Sequence, residues 1–130
     1  MVIEIAGSAK VFNLTESRAL VPLVKKITLE HHRALQPIQY RLDRMLSNDP
    51  RRAVIERGFE REVGAWQGKI HRLGLVTVGL WEVEFSVGAE GALSWRYPEL
   101  ELSCFRETGS MVRNKLNDYI EEYDPDWALT

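Results

Sequence analysis

Residues 13–46, NLTESRALVPLVKKITLEHHRALQPIQYRLDRML, decide how the rest of the chain is read. Leu20, Val24, Ile27, His31, Leu35, Ile38, Leu42 and Met45 recur at steps of three or four, which places them on one face of a long helix. Asn13 is suited to the N-cap, and Glu16, three residues on, completes a capping-box pair. Pro22 removes a backbone donor and kinks the helix without ending it, and Pro37, on the same apolar pattern, is a second kink or break.

Working outward, the SNDP run at 47–50 marks a boundary: Asp49 can cap and Pro50 suits a first helical position. A second helix then reaches Leu73, where Gly74 stops it, and carries the stripe Ile55, Phe59, Val63, Trp66, Ile70 and Leu73. Folding the two helices back about an Asn48–Asp49 loop pairs Ile55 with Leu42, Phe59 with Ile38, Trp66 with His31, Ile70 with Ile27 and Leu73 with Val24. The prediction is an antiparallel helical hairpin over residues 13–74. Gly58, Gly64 and Gly68 weaken the second helix, and two reasons stay open: close approach of another element, or a locally weak helix.

Past Leu80 the period changes to two. Trp81, Val83, Phe85 and Val87 alternate with Glu82, Glu84 and Ser86, a strand with one buried face. VGAEGA turns the chain, Leu93 and Trp95 return on the buried face, and Leu100, Leu102 and Cys104 repeat the alternation. Residues 80–106 are thus expected to form a three-stranded antiparallel β-meander with an acidic, solvated outer face. Met111, Val112, Leu116, Tyr119, Ile120 and Tyr123 predict a short amphipathic C-terminal helix over 110–123, and the final DPDWALT reads as a tail docking through Trp127. Val2–Ala6 reads as a short edge strand. The expected fold is α+β, one domain over residues 1–130: a long antiparallel helical hairpin packed on a small meander, with the short C-terminal helix.

The parts, in this order, resemble a bacterial family of uncharacterised proteins, domain of unknown function 2203. KVFNLTESRALVPLVKKI is similar to its opening, an aromatic–Thr–Leu–Glu–Glu–Ala–Arg followed by Leu–Leu–Pro–Leu–Val. GLWEVEFSV and LSWRYPELEL resemble its Gly–Leu–Val–Asp–Phe and its Leu–Cys–Trp–Arg with a following Gly–Glu–Pro–Glu. The chain departs from that pattern in Glu84 for Asp, in Ser94 for Cys, and in Arg106 where a His often stands in relatives. The family carries no assigned activity, so the resemblance implies an architecture and no chemistry.

Composition narrows the function classes. With 45% apolar and 28% charged residues in a chain of 130, an ordinary globular core is available, and no apolar run approaches a membrane span. The opening block is too short and too acidic for a secretory signal, and a lone cysteine, Cys104, suits a reducing compartment; a cytoplasmic location is the expectation. Residues 1–79 hold 13 Lys/Arg against 8 Asp/Glu, and residues 80–130 hold 4 against 11, yet both signs are interspersed. Solvated helix faces explain this better than a phosphate-binding surface, so no nucleic-acid partner is expected.

The residues that could carry chemistry each have a plainer reading. His31, His32, His71 and Glu30 lack convergent metal spacing, so His31 is expected to pack near Trp66 with His32 and His71 solvated, and no metal or cofactor is assigned. Cys104, placed on the inward face beside Leu102, reads as a small buried hydrophobe. Glu82, Glu84, Glu99 and Glu101 read as a solvated stripe with Arg96 as a cross-strand partner, which leaves no catalytic group. Two function classes follow. The first is a non-catalytic interaction-type protein that self-associates as a homodimer through its hairpin, or binds another protein there. The second is a small-ligand or metal-binding protein with a site between hairpin and sheet, built from Trp81, Glu84, Trp95 and Arg96. The dimer expectation rests on length: the helices outrun a sheet that spans only ~20 Å. The distal end, with Ile38, Tyr40, Leu42, Met45, Ile55 and Phe59, then needs either the C-terminal helix or a second chain to cover it.

Overall fold

A computed structural model describes residues 10–116. The helix α1 spans Leu14–Asp43 and α2 spans Arg52–Arg72. Five strands follow, β1 Val76–Gly79, β2 Glu82–Ser86, β3 Gly91–Arg96, β4 Cys104–Glu107 and β5 Asn114–Lys115. They form one antiparallel sheet in the order β1-β2-β3-β4-β5. The described chain is therefore α+β, with a helical hairpin laid across a sheet.

Local chemistry sets the helix ends. Asn13 Oδ1 accepts from the Glu16 amide at 2.7 Å while Glu16 Oε1 accepts from the Asn13 amide at 3.0 Å, the full capping box. Helix α1 continues through both Pro22 and Pro37. Helix α2 begins two residues after Pro50, because Asp49 is used to close the turn itself: its carboxylate accepts from the Arg51 amide and guanidinium. These hydrogen bonds, side chain before backbone, hold the Asp49 carboxyl down from 3.8 to about 2. A folded value below the unfolded one means the contribution is complete above about pH 4 and is lost as the pH falls towards 2. A carboxyl-detected NMR titration should place the Asp49 midpoint near 2, and Arg51→Ala should return it towards the ordinary value.

Gly74 ends α2 at φ +87°, a backbone state that costs glycine little. Next to it Lys10 N–H donates to the Gly74 carbonyl at 3.0 Å, and Phe12 N–H donates to the Ser86 carbonyl at 2.7 Å. This strap ties the start of α1 to both α2 and the sheet. The core lies between hairpin and sheet: Leu14, Val21, Val24, Trp66 and Ile70 from the helices meet Val83, Phe85, Leu93, Trp95 and Phe105 from the strands.

Several expectations are corrected. The sheet has five strands rather than three: Val76–Gly79 pairs with β2 and Asn114–Lys115 pairs with β4. The C-terminal helix expected over 110–123 does not start there, since residues 111–113 are irregular and Asn114–Lys115 complete the sheet edge. The remainder of that helix, the Trp127 tail and the Val2–Ala6 strand lie outside the described residues. The hairpin register is also displaced by about one helical turn. Trp66 Nε1 donates to Thr28 Oγ1 at 2.9 Å, and His31 Nδ1–H donates to the Glu62 carboxylate, so each bonds a residue three or four positions from the partner expected. The buried positions of α1 are Leu14, Ser17, Val21, Val24, Thr28, His31, Leu35 and Leu42, with Leu20 and Ile27 moved to the flank. Polar Ser17 and Thr28 enter the seam because each has a hydroxyl partner, the Asn13 carbonyl and the Trp66 indole.

Nothing within 4 Å would meet a Cβ at Gly58 or Gly64, and only the far end of Arg72 would at Gly68. Close approach within the described chain is therefore not the reason for these glycines.

Candidate functional site

The sheet separates the four residues singled out from the sequence into two groups. On the hairpin side, Trp95 is fully buried and its Nε1 donates to the Glu99 carbonyl at 3.0 Å. Trp81 sits between β1 and β2 with φ +63°, an unusual state for a bulky residue. Its ring packs edge-on against Trp66 at 5.0 Å and lies 5.6 Å from the ring of His32. On the opposite side, Glu84 pairs across the strands with Ser94, and Glu82 with Arg96. Trp81 and Trp95 thus belong to the core side while Glu84 and Arg96 belong to the outer face, and no single pocket holds all four.

The outer face is not the solvated stripe that its alternation suggests. Glu84 is only 4% exposed and Ser94 is fully buried. Arg106, two residues into β4, grips both Glu84 oxygens, with Nη2 at 2.7 Å from Oε1. Its Nη1 reaches the Ser110 carbonyl at 2.9 Å. Arg113, just before β5, donates from Nε to Ser94 Oγ at 2.7 Å and from Nη2 to Glu99 Oε1 at 2.9 Å. The Glu84 carboxylate raises the Arg106 guanidinium above its ordinary value; for Arg113, desolvation acts downward and the Glu99 hydrogen bond prevails upward. Two arginines, Arg106 from β4 and Arg113 from the segment that follows it, therefore reach over β2 and β3, and their forked geometry suits carboxylate pairing.

A hollow of about 280 Å³ opens beside this network, lined in part by Val76, Glu84, Ser86, Ala92, Arg106 and Thr108. Gly91 stands at its edge, where a Cβ would lie 2.2 Å from the Arg106 carbonyl oxygen. The glycine is required for β3 and β4 to approach there. Arg106 and Arg113 were missed by the sequence reading, although Arg106 was noted as a departure from the resembled family. The sequence signal that could have found them is a pair of arginines close after an acidic meander.

The remaining candidates divide. His31 lies in the hairpin seam, buried, with Nε2 meeting no hydrogen-bond partner among the described residues. His32 is stacked rather than solvated, its ring 4.4 Å from Tyr97 at an interplanar angle of 30°. His71 is exposed, as expected, and its Nε2 lies 3.0 Å from Thr77 Oγ1. Cys104 is half-buried on the outer face, because Phe105 takes the inward position opposite Leu93. Residues 97–103 are irregular, so the alternation through Leu100 and Leu102 loses its parity before β4 begins. Among the described residues, no three His, Cys, Asp or Glu side chains converge to hold a metal ion.

The other notable surface is the hairpin tip. Helix α2 buries only Trp66 and Ile70, both in its second half. Ile55 and Phe59 in its first half and Val63 at its middle stay partly open, while Tyr40 and Val54 are 57% and 58% exposed. A groove of about 570 Å³ runs between the tips, lined by Leu42, Asp43, Arg52, Glu56, Phe59 and Glu60 among others. No helix among the described residues is long and apolar enough to cross a membrane. No family model, curated protein or solved structure matches the chain.

Proposed function

We propose that this protein is a non-catalytic association module whose helical hairpin pairs with that of a second copy. The observation that carries this reading is the unburied first half of α2. At ~1.5 Å per residue the 30-residue α1 is about 45 Å long. The longest strand has six residues and spans about 20 Å. The tip therefore outruns the sheet, and the groove there, with Leu42 and Phe59 set among charged side chains, has no layer over it among the described residues. Its rim supports a like partner, since Asp43, Glu56 and Glu60 alternate with Arg52 and Arg57. A two-fold contact needs a patch that carries both signs and can face itself. Pairing the tips of two hairpins into a four-helix arrangement buries Phe59, Ile55 and Tyr40 together.

Size-exclusion chromatography with light scattering tests the reading. A mass near twice the monomer at tens of micromolar is expected, and a monomer mass rejects it. Tyr40→Asp and Val54→Asp should both lower association while leaving the helical circular dichroism unchanged, because neither side chain is part of the core.

A further inference from the structure

Two adjoining hollows, of about 560 and 300 Å³, lie between the start of α1 and the 100–104 segment and share Arg18, Glu101 and Leu102. Their size falls in the ~300–1,000 Å³ range that seats a ligand. The floor is apolar: Val21, Leu102 and Leu116 line it. The rim is mostly basic, with Arg18 and Lys115 in the lining and Lys25 alongside, its amine donating to the Leu100 carbonyl at 3.1 Å. Leu100 projects from the rim, 81% exposed. Such a groove calls for an occupant that is acidic and carries aromatic or aliphatic side chains.

The chain itself supplies one. Leu116, the last described residue, is part of the groove lining. Residues 117–130 read NDYIEEYDPDWALT, with five Asp/Glu, no Lys or Arg, and Tyr119, Ile120, Tyr123 and Trp127 among them. We propose that this groove is the seat of the chain's own acidic 117–130 segment, held by the Arg18, Lys25 and Lys115 rim. Tethering favours the segment over a partner in trans, because a linked sequence competes at an effective concentration on the order of millimolar.

Zero-length carbodiimide coupling of the full chain, in an equimolar mixture of ¹⁴N- and ¹⁵N-labelled protein, tests the occupant. The expected product joins the Lys25 amine to a carboxylate of residues 117–130 within one isotope. Isotopically mixed links would assign the groove to a second copy, and an absence of Lys25 links to this segment would leave the groove without it; either overturns the proposal. Cys104 lines the groove and provides a second readout. Arg18→Glu lies on an exposed helix position and should accelerate thiol labelling several-fold, as should Glu121→Lys with Glu122→Lys, with circular dichroism unchanged. An added acid near a thiol slows its reaction by disfavouring the thiolate, so acceleration by Arg18→Glu reports uncovering of the groove. An unchanged or slower rate in both variants also overturns the proposal.

Discussion

Trp66→Ala should cost about 3–5 kcal/mol of unfolding free energy, near the top of the range for a large buried side chain. The ring is fully buried where helix meets helix and helix meets sheet. Its loss leaves a cavity against Trp81, whose ring packs on it at 5.0 Å, and strands the Thr28 hydroxyl that accepts its Nε1–H. Ile70→Ala, one turn on and equally buried, should cost about 2–5 kcal/mol. Urea unfolding followed by circular dichroism checks both. Losses below about 0.5 kcal/mol at both positions would sink the seam described for the hairpin. Trp66→Phe is the discriminating variant: it retains most of the apolar contact, so a loss well short of the alanine value separates packing from the indole hydrogen bond.

The second large effect is expected on the outer face. Arg106→Met removes the partner of a carboxylate that is 4% exposed and leaves that charge beside Ser94 and Ala92. Breaking a buried pair in this way costs about 3–5 kcal/mol; because the Arg106 side chain keeps 28% of its surface in water, a loss of about 2–4 kcal/mol is expected. The double variant Glu84→Leu with Arg106→Met should recover much of that loss, since neither charge then remains unpaired. Denaturant midpoints of the two single variants and the double variant form the cycle. A single-variant loss under about 0.5 kcal/mol would show that water reaches Glu84 and that the pair behaves as a surface contact.

Two of the helix ends were legible because each rests on residues close in sequence. Asn13 with Glu16 fixes the start of α1, and Gly74 fixes the end of α2. The β2–β3 hairpin was legible for a related reason: Val83, Phe85, Leu93 and Trp95 alternate cleanly about one turn. The register of α1 against α2 was not. Leu20 and Ile27 compete with Ser17 and Thr28 for the seam, and hydrophobicity alone chooses the wrong pair because the hydroxyl partners come from the Asn13 carbonyl and the Trp66 indole. Val76–Gly79 was too short to stand out, and Asn114–Lys115 has no strand signal apart from its partner β4. The outer face misled most. Alternating Glu82 and Glu84 look alike in sequence, but Arg106 arrives from 22 positions away to bury one of them.

The strand order carries a consequence for the folding kinetics. Each strand lies beside its successor in sequence, and the two helices fold back about one short loop. Such pairings close short stretches of chain and can zip outward from their turns, which is the topology of fast folding. The strap through Lys10 and Phe12 is different, since its partners Gly74 and Ser86 are distant in sequence and it gains its bonds only after both layers exist. Its closing entropy is lost late and regained first, so the strap is expected to open before the core between hairpin and sheet is exposed.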